Sequence, residues 1–305
     1  MIATPAQILF IAPTRIGDAV LATSLLEHIR TTNPNAQVTI IASPFSAPLF
    51  SGYPNLEALH IIDKQSFSRH WLRIWKIAIT KQWAEVWDMR GSTLAYLCAA
   101  RKRHIFKSSP QPMPKHEQYR VQLGLSSLAY PTLWPQAADN SKAEQLIGSH
   151  DKIIALAPCA NWIPKEWPIA HFIELSRRLF SELFKGYRPL IVCAAHERER
   201  ALPLLNALKD FHPIDATTGD LPLLAVYAAF CKAHGFIGND SGLMHMAAAA
   251  SIPTLGLFGP TDDVTYQPCG SKVAYVVAPE RDLKKLQPKI ALEKFVTLVS
   301  REESH

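Results

Sequence analysis

The sequence predicts an α/β protein made of two Rossmann-like halves. Three observations predict it. Buried-strand patterns alternate with helical patterns along the chain. The alternation restarts near residue 152, after a stretch rich in proline, serine and glutamine. Polar residues follow several strand patterns in otherwise apolar surroundings, at the carboxyl strand ends where open α/β sheets build their ligand sites.

In the first half, QILFIAP (7–13) reads as a short buried strand. Gly17-Asp18 makes a tight turn, AVLATSLLEHIR has helical periodicity, and Pro34 closes that helix. VTIIAS (38–43) is a second buried strand, and HIID (60–63) and EVWDMR (85–90) continue the series. The segment 104–142 reads as loop leading to a boundary near 140–150. In the second half, KIIALAP (152–158), RPLIVCAA, HGFIGND and TLGLFGP read as strands. AHFIELSRRLF, HERERALPLLNALK, LLAVYAAFCKA and LMHMAAAA read as helices. The expected domains are 1–148 and 149–305, with the last helix free to pack back on the first domain.

Composition narrows the function. Of the 305 residues, 48% are hydrophobic and 19% charged, which supports a sizeable core and argues against wholesale disorder. No apolar run reaches the roughly 18–20 residues of a membrane span. The first residues lack the basic start of a signal peptide. Five cysteines without a CxxC pair argue against a zinc or disulfide framework and fit a reducing cytosol. The net charge of +6 lies wholly in residues 1–150, with 15 Lys/Arg against 9 Asp/Glu, while residues 151–305 balance 17 against 17. The excess is densest at 101–120, where Arg101, Lys102, Arg103, Lys107, Lys115 and Arg120 face only Glu117. Such a cluster either meets an anionic partner or is a solvated basic loop.

The strand ends supply the chemistry. Asp18 follows the first strand and is either a helix N-cap or a site carboxylate. No GxGxxG is present there, which disfavours a nicotinamide-binding turn. Lys165, in PCANWIPKEWP (158–168), is a point cation suited to a phosphate oxygen, and Trp162 and Trp167 either shape a pocket or pack. Glu197 or Glu199, in AAHERER (194–200), can accept from ribose hydroxyls or simply start a helix. Asn239-Asp240-Ser241-Gly242 joins a strand to a helix whose first amides form an anion site, and His245 lies one turn on. No Asp-x-Asp pair of the kind that holds magnesium on a diphosphate is seen; ERER has that spacing between arginines on a helix pattern.

RIGDAVLATSLL (15–26), KHEQYRVQLGL (115–125), PCANWIPKEWP, AHERER and GNDSGLMHMAAAASIPTLGLFGPTD (238–262) together resemble glycosyltransferase family 9, the ADP-heptose:lipopolysaccharide heptosyltransferases. The likeness runs in order over nearly the whole chain, and the last block is its most specific part. Ser24 and Asp263 stand where the family often has proline.

The resemblance implies a GT-B fold, two facing Rossmann-like domains with a central cleft, the first holding the acceptor and the second the nucleotide-sugar. It implies Asp18 as the general base, and Lys165, Glu197, Asp240, Ser241, Gly242 and His245 as donor-binding residues. Arg15, Arg101, Lys102, Arg103 and Arg120 are the acceptor-side candidates. The expected reaction is inverting and metal-independent, with no cofactor. Its donor would be ADP-heptose and its acceptor an anionic glycolipid, at a cytoplasmic site compatible with peripheral contact at the inner membrane. Two other readings stay open here. One is a GT-B sugar-nucleotide enzyme with a different donor or acceptor, such as an epimerase. The other is a non-catalytic anion- or nucleic-acid-binding protein, although no aromatic-basic RNA-binding motif is present.

Overall fold

The computed structural model describes residues 5–62, 75–79, 81–109, 112–148 and 152–300. It divides into two compact units, Met1–Trp134 and Pro135–His305. Asp63, read as the end of a strand, and residues 149–151 at the expected boundary lie outside the described residues.

The first unit is a five-stranded parallel sheet in the order β3-β2-β1-β4-β5. Its strands are β1 Gln7–Ile11, β2 Gln37–Ala42, β3 Leu56–Ile61, β4 Trp83–Asp88 and β5 Ala100–Ile105. Leu9 pairs with Thr39 on one side and Val86 on the other. Helix α1, Ile16–Thr32, buries Ala19 to Leu26 and Ile29, a wide apolar face with no β-branched run to weaken the helix. Helices α2, Leu94–Leu97, and α3, Lys115–Gln122, belong to the same unit, as do a short 3-10 turn at Ala47–Phe50 and a helical stretch at 75–79.

The second unit is a six-stranded parallel sheet in the order β11-β10-β9-β6-β7-β8. Its strands are β6 Ile153–Ala157, β7 Arg188–Val192, β8 Ile214–Ala216, β9 Gly235–Asn239, β10 Thr254–Phe258 and β11 Val273–Val277. Every residue of β6, β9 and β10 is buried, as expected of parallel strands covered on both faces. The helices are α4 Ala137–Ile147, α5 Ile169–Arg178, α6 Arg198–Ala207, α7 Leu223–Phe230, α8 Gly242–Ala249, α9 Asp263–Tyr266 and α10 Pro288–Ser300. Gly256 marks close packing here: a Cβ would lie 2.5 Å from Met244 Sδ of α8.

Three features differ from the sequence reading. The segment 104–142 is not all loop: it ends β5, forms α3 and begins α4. Pro114 stands at the N-cap of α3, where its missing amide costs nothing, so the proline starts a helix. The division falls at 134/135 instead of 148/149, because α4 packs on α7 of the second unit and Glu144 pairs with Lys232 at 2.9 Å. The last helix, α10, packs on α5, β10 and β11 of its own unit, and Phe295 is fully buried.

Candidate active site

Each sheet reverses its winding once, between β1 and β4 in the first unit and between β6 and β9 in the second. Beyond the carboxyl ends of such strand pairs lies the crevice in which doubly wound sheets bind ligands. The two units carry one such place each.

In the first unit, α1 begins straight after β1. Its N-cap is Arg15, an exposed residue whose side chain makes no capping bond. Asp18 sits in the first turn, and its Oδ1 is buried without a hydrogen-bond partner. The N-cap reading of Asp18 is therefore not what the structure shows. The group facing it is Lys115, whose Nζ lies 3.8 Å from Asp18 Oδ1; the side chains are 11% and 16% exposed.

The basic cluster is split. Arg101, Lys102 and Arg103 open β5, the edge strand of the sheet. Arg101 and Lys102 are exposed near its amino end, away from the carboxyl end where sites form. Arg103 is committed to the fold: Nε and Nη2 donate to the carbonyls of Ala95 and Cys98 at 2.8 and 2.7 Å, and Nη1 donates to Ala100 at 3.2 Å. Arg120 pairs with Glu117 at 2.7 Å within α3. The solvated-loop reading does not hold for Arg101, Lys102 and Arg103, which lie in a strand, while Lys107 is exposed in the coil after it.

In the second unit the two switch-point strands are tied together. The Asn239 side chain, at the end of β9, accepts from the Trp167 amide at 3.0 Å and donates to the Pro158 carbonyl at 2.8 Å. Asp240 Oδ2 then takes the ammonium of Lys165 at 2.8 Å; Asp240 is 6% exposed and Lys165 22%. Trp167 packs in the core and donates to the Leu286 carbonyl, whereas Trp162 is exposed. Ser241 is the N-cap of α8 but makes no capping bond, and its Oγ is buried without a partner. The helix thus opens with free amides beside an unused hydroxyl and the Cβ-less Gly242. His245 is buried one turn further on.

Glu197 and Glu199 separate. Glu197 is buried; it accepts from the Ala194 amide at 3.1 Å and lies 3.4 Å from Arg200. Arg200 also donates to the Ala160 carbonyl and to Glu166, so this network joins the loops after β6 and β7. Glu199 is exposed on α6. Two residues were seen in the sequence without a site role. Thr261, after β10, has a buried Oγ1 without a partner; it stands in the GPTD turn, which was legible as a motif. Lys115 belongs to the basic cluster and opens the KHEQYRVQLGL block, but nothing local tied it to Asp18. Among the described residues no cluster of three His, Cys, Asp or Glu could hold a metal ion, and no helix is long and apolar enough to cross a membrane.

Residues 78–295 match the family described as glycosyltransferase family 9 (heptosyltransferase). The chain belongs to glycosyltransferase family 9. It is 25% identical to lipopolysaccharide heptosyltransferase 2 of Salmonella typhimurium over 309 residues, covering 88% of this chain and 87% of that protein. The solved structure of Escherichia coli ADP-heptose lipopolysaccharide heptosyltransferase II superposes with a TM-score of 0.78 at 20% identity, over 97% of this chain and 99% of the other. E. coli heptosyltransferase WaaC with ADP gives a TM-score of 0.73 at 19% identity, over 96% and 99%. The family 9 chain thus has the GT-B fold of these enzymes and is itself a glycosyltransferase, which sets aside the non-catalytic reading.

Proposed function

We propose that this enzyme transfers a heptose from ADP-heptose to a lipopolysaccharide inner-core acceptor, with inversion and without a metal ion, using Asp18 as general base. The single observation that carries the reading is the state of Asp18. A carboxylate at a helix start ordinarily bonds to the free amides there. Asp18 leaves Oδ1 buried and unbonded beyond the end of β1, so its lone pairs are available to an acceptor hydroxyl.

The second unit supplies what a leaving diphosphate needs. The first amides of α8, the hydroxyls of Ser241 and Thr261 and the ammonium of Lys165 place positive charge and donors at the ends of β6, β9 and β10. Lys165 keeps N–H donors beyond the one it gives Asp240. The pair therefore holds the ammonium in place without exhausting it. Glu197, whose carboxylate is already engaged, shapes the loop after β7. His245 backs the start of α8 from within the core. The name of the Salmonella relative supports the lipopolysaccharide acceptor, and the ADP bound to WaaC supports the donor's nucleotide. The positive balance of the first half supports an anionic acceptor, and a cytoplasmic enzyme in peripheral contact with the inner membrane would meet it there.

Titration calorimetry of ADP-heptose with and without EDTA tests the metal-free donor site. Equal affinity is expected in both. Loss of binding on chelation would contradict it.

A further inference from the structure

Lys115 is an unusual place for a cation. It is the first residue of α3, at the positive end of that helix. Its side chain is only 11% exposed. Its Nζ lies 4.9 Å from the centre of the Phe106 ring, and Phe106 is held edge-on against Tyr119 at 4.7 Å. Among the described residues no acceptor comes within hydrogen-bonding distance of this ammonium. The nearest carboxylate oxygen is Asp18 Oδ1 at 3.8 Å, which is also without a hydrogen bond. A stabilising ion pair would close to about 2.7–2.9 Å. Here a shielded three-proton donor and a shielded acceptor face each other across a gap too wide for direct bonding.

An oxygen of a hydroxyl group fits that gap. Placed about 2.8 Å from each, it accepts from the ammonium and donates to the carboxylate. We infer that Lys115 and Asp18 together hold the attacking hydroxyl of the acceptor sugar, with Lys115 orienting its oxygen while Asp18 takes its proton. This rests on the reading of Asp18 as the base. The proton passes from the hydroxyl to Asp18 Oδ1 as the oxygen bonds to the anomeric carbon, and the bond to the ADP oxygen breaks with its electron pair leaving on ADP. Lys115 keeps all its protons throughout. Its contribution is aim, since misplacing a reacting atom by an ångström costs about 10²-fold in rate, and stabilisation of the oxygen as it loses its proton.

The test uses Lys115→Met, which keeps the stem and removes the charge, with Lys115→Arg, Asp18→Asn and the Asp18→Asn/Lys115→Met pair. Melting temperature, ADP affinity and single-turnover transfer to deacylated inner-core lipopolysaccharide are measured on each. Lys115→Met is expected to lower kcat by about 10²-fold with ADP affinity intact. Lys115→Arg should recover much of it. The double variant should be little worse than Asp18→Asn, because both groups act on one hydroxyl. Near-normal kcat in Lys115→Met with an inactive Asp18→Asn would overturn the role of Lys115 and leave the base standing. Full transfer by Asp18→Asn would remove both. If Lys115→Met does not fold, Lys115→Arg decides: a stable arginine variant with no transfer recovered over Asp18→Asn would overturn the proposal.

Discussion

Lys165 reaches across the switch point of the second sheet to Asp240, ammonium to carboxylate at 2.8 Å. The lysine comes from the loop after β6 and the aspartate from the end of β9, so one ion pair bridges the strands between which a ligand crevice opens. Asn239 makes the same crossing through the backbone of Trp167 and Pro158. The chain thus spends two adjacent polar residues on fixing one loop. That is the rigidity a preorganised anion site requires.

The pair has separable duties. Lys165→Met leaves a buried Asp240 charge without its counter-ion, which is expected to cost on the order of 2–4 kcal/mol. ADP affinity should fall at least about tenfold, equivalent to roughly 1.4 kcal/mol. Adding Asp240→Asn should restore most of the melting temperature and none of the affinity. Recovery of both in the double variant, read by thermal melts and calorimetry, would show that Lys165 serves only the fold.

The arginines of β5 should also divide. Arg103→Ala removes donors from three backbone carbonyls and is expected to destabilise the protein by about 2 kcal/mol. Arg101→Glu with Lys102→Glu should leave the melting temperature nearly unchanged. If the exposed pair steers an anionic acceptor, that variant raises the acceptor KM, more at low salt than at high salt, with donor affinity unaffected. Equal losses for donor and acceptor would argue against steering.

A third prediction concerns acid. Glu85 accepts from His104 at 3.0 Å and from Trp87 Nε1 at 2.9 Å, and His104 stacks on Trp87. The His104 bond, with further help from Trp87 and Lys102, holds the Glu85 carboxyl below its usual value of 4.5 despite partial burial. Burial, then repulsion from His104, holds His28 below 6.5. Both folded values are depressed, so both groups bind protons more readily unfolded. The stability from neutral His28 is complete above pH 6.5 and declines below it, and that from ionised Glu85 declines below pH 4.5. The melting temperature should fall on acidification, with a shallower fall below pH 4.5 in Glu85→Gln. An unchanged slope in that variant would remove Glu85 from the account.

The double α/β alternation was legible because parallel strands buried on both faces are apolar runs, and β1, β2, β6, β9 and β10 are such runs. β5 was not, since an edge strand carrying Arg101, Lys102 and Arg103 reads as a basic loop; charge on an edge is how sheets avoid pairing with other chains. α4 fell in the wrong half because its partner, α7, lies far along the chain. At the site, Asp18, Lys165 and Asp240 stood out by position after strands. The Lys165–Asp240 bond and the approach of Lys115 to Asp18 did not, because both join segments remote in sequence. Whether Asp18 is a cap was equally closed to the sequence, since aspartate suits both roles and only geometry separates them.

The most direct test of the account is single-turnover transfer by Asp18→Asn, measured beside its melting temperature and ADP affinity. Asparagine is nearly isosteric and cannot take the proton. The account predicts a stable protein that binds ADP normally and transfers at least about 10²-fold more slowly. Transfer at a near-normal rate by that stable variant would contradict it.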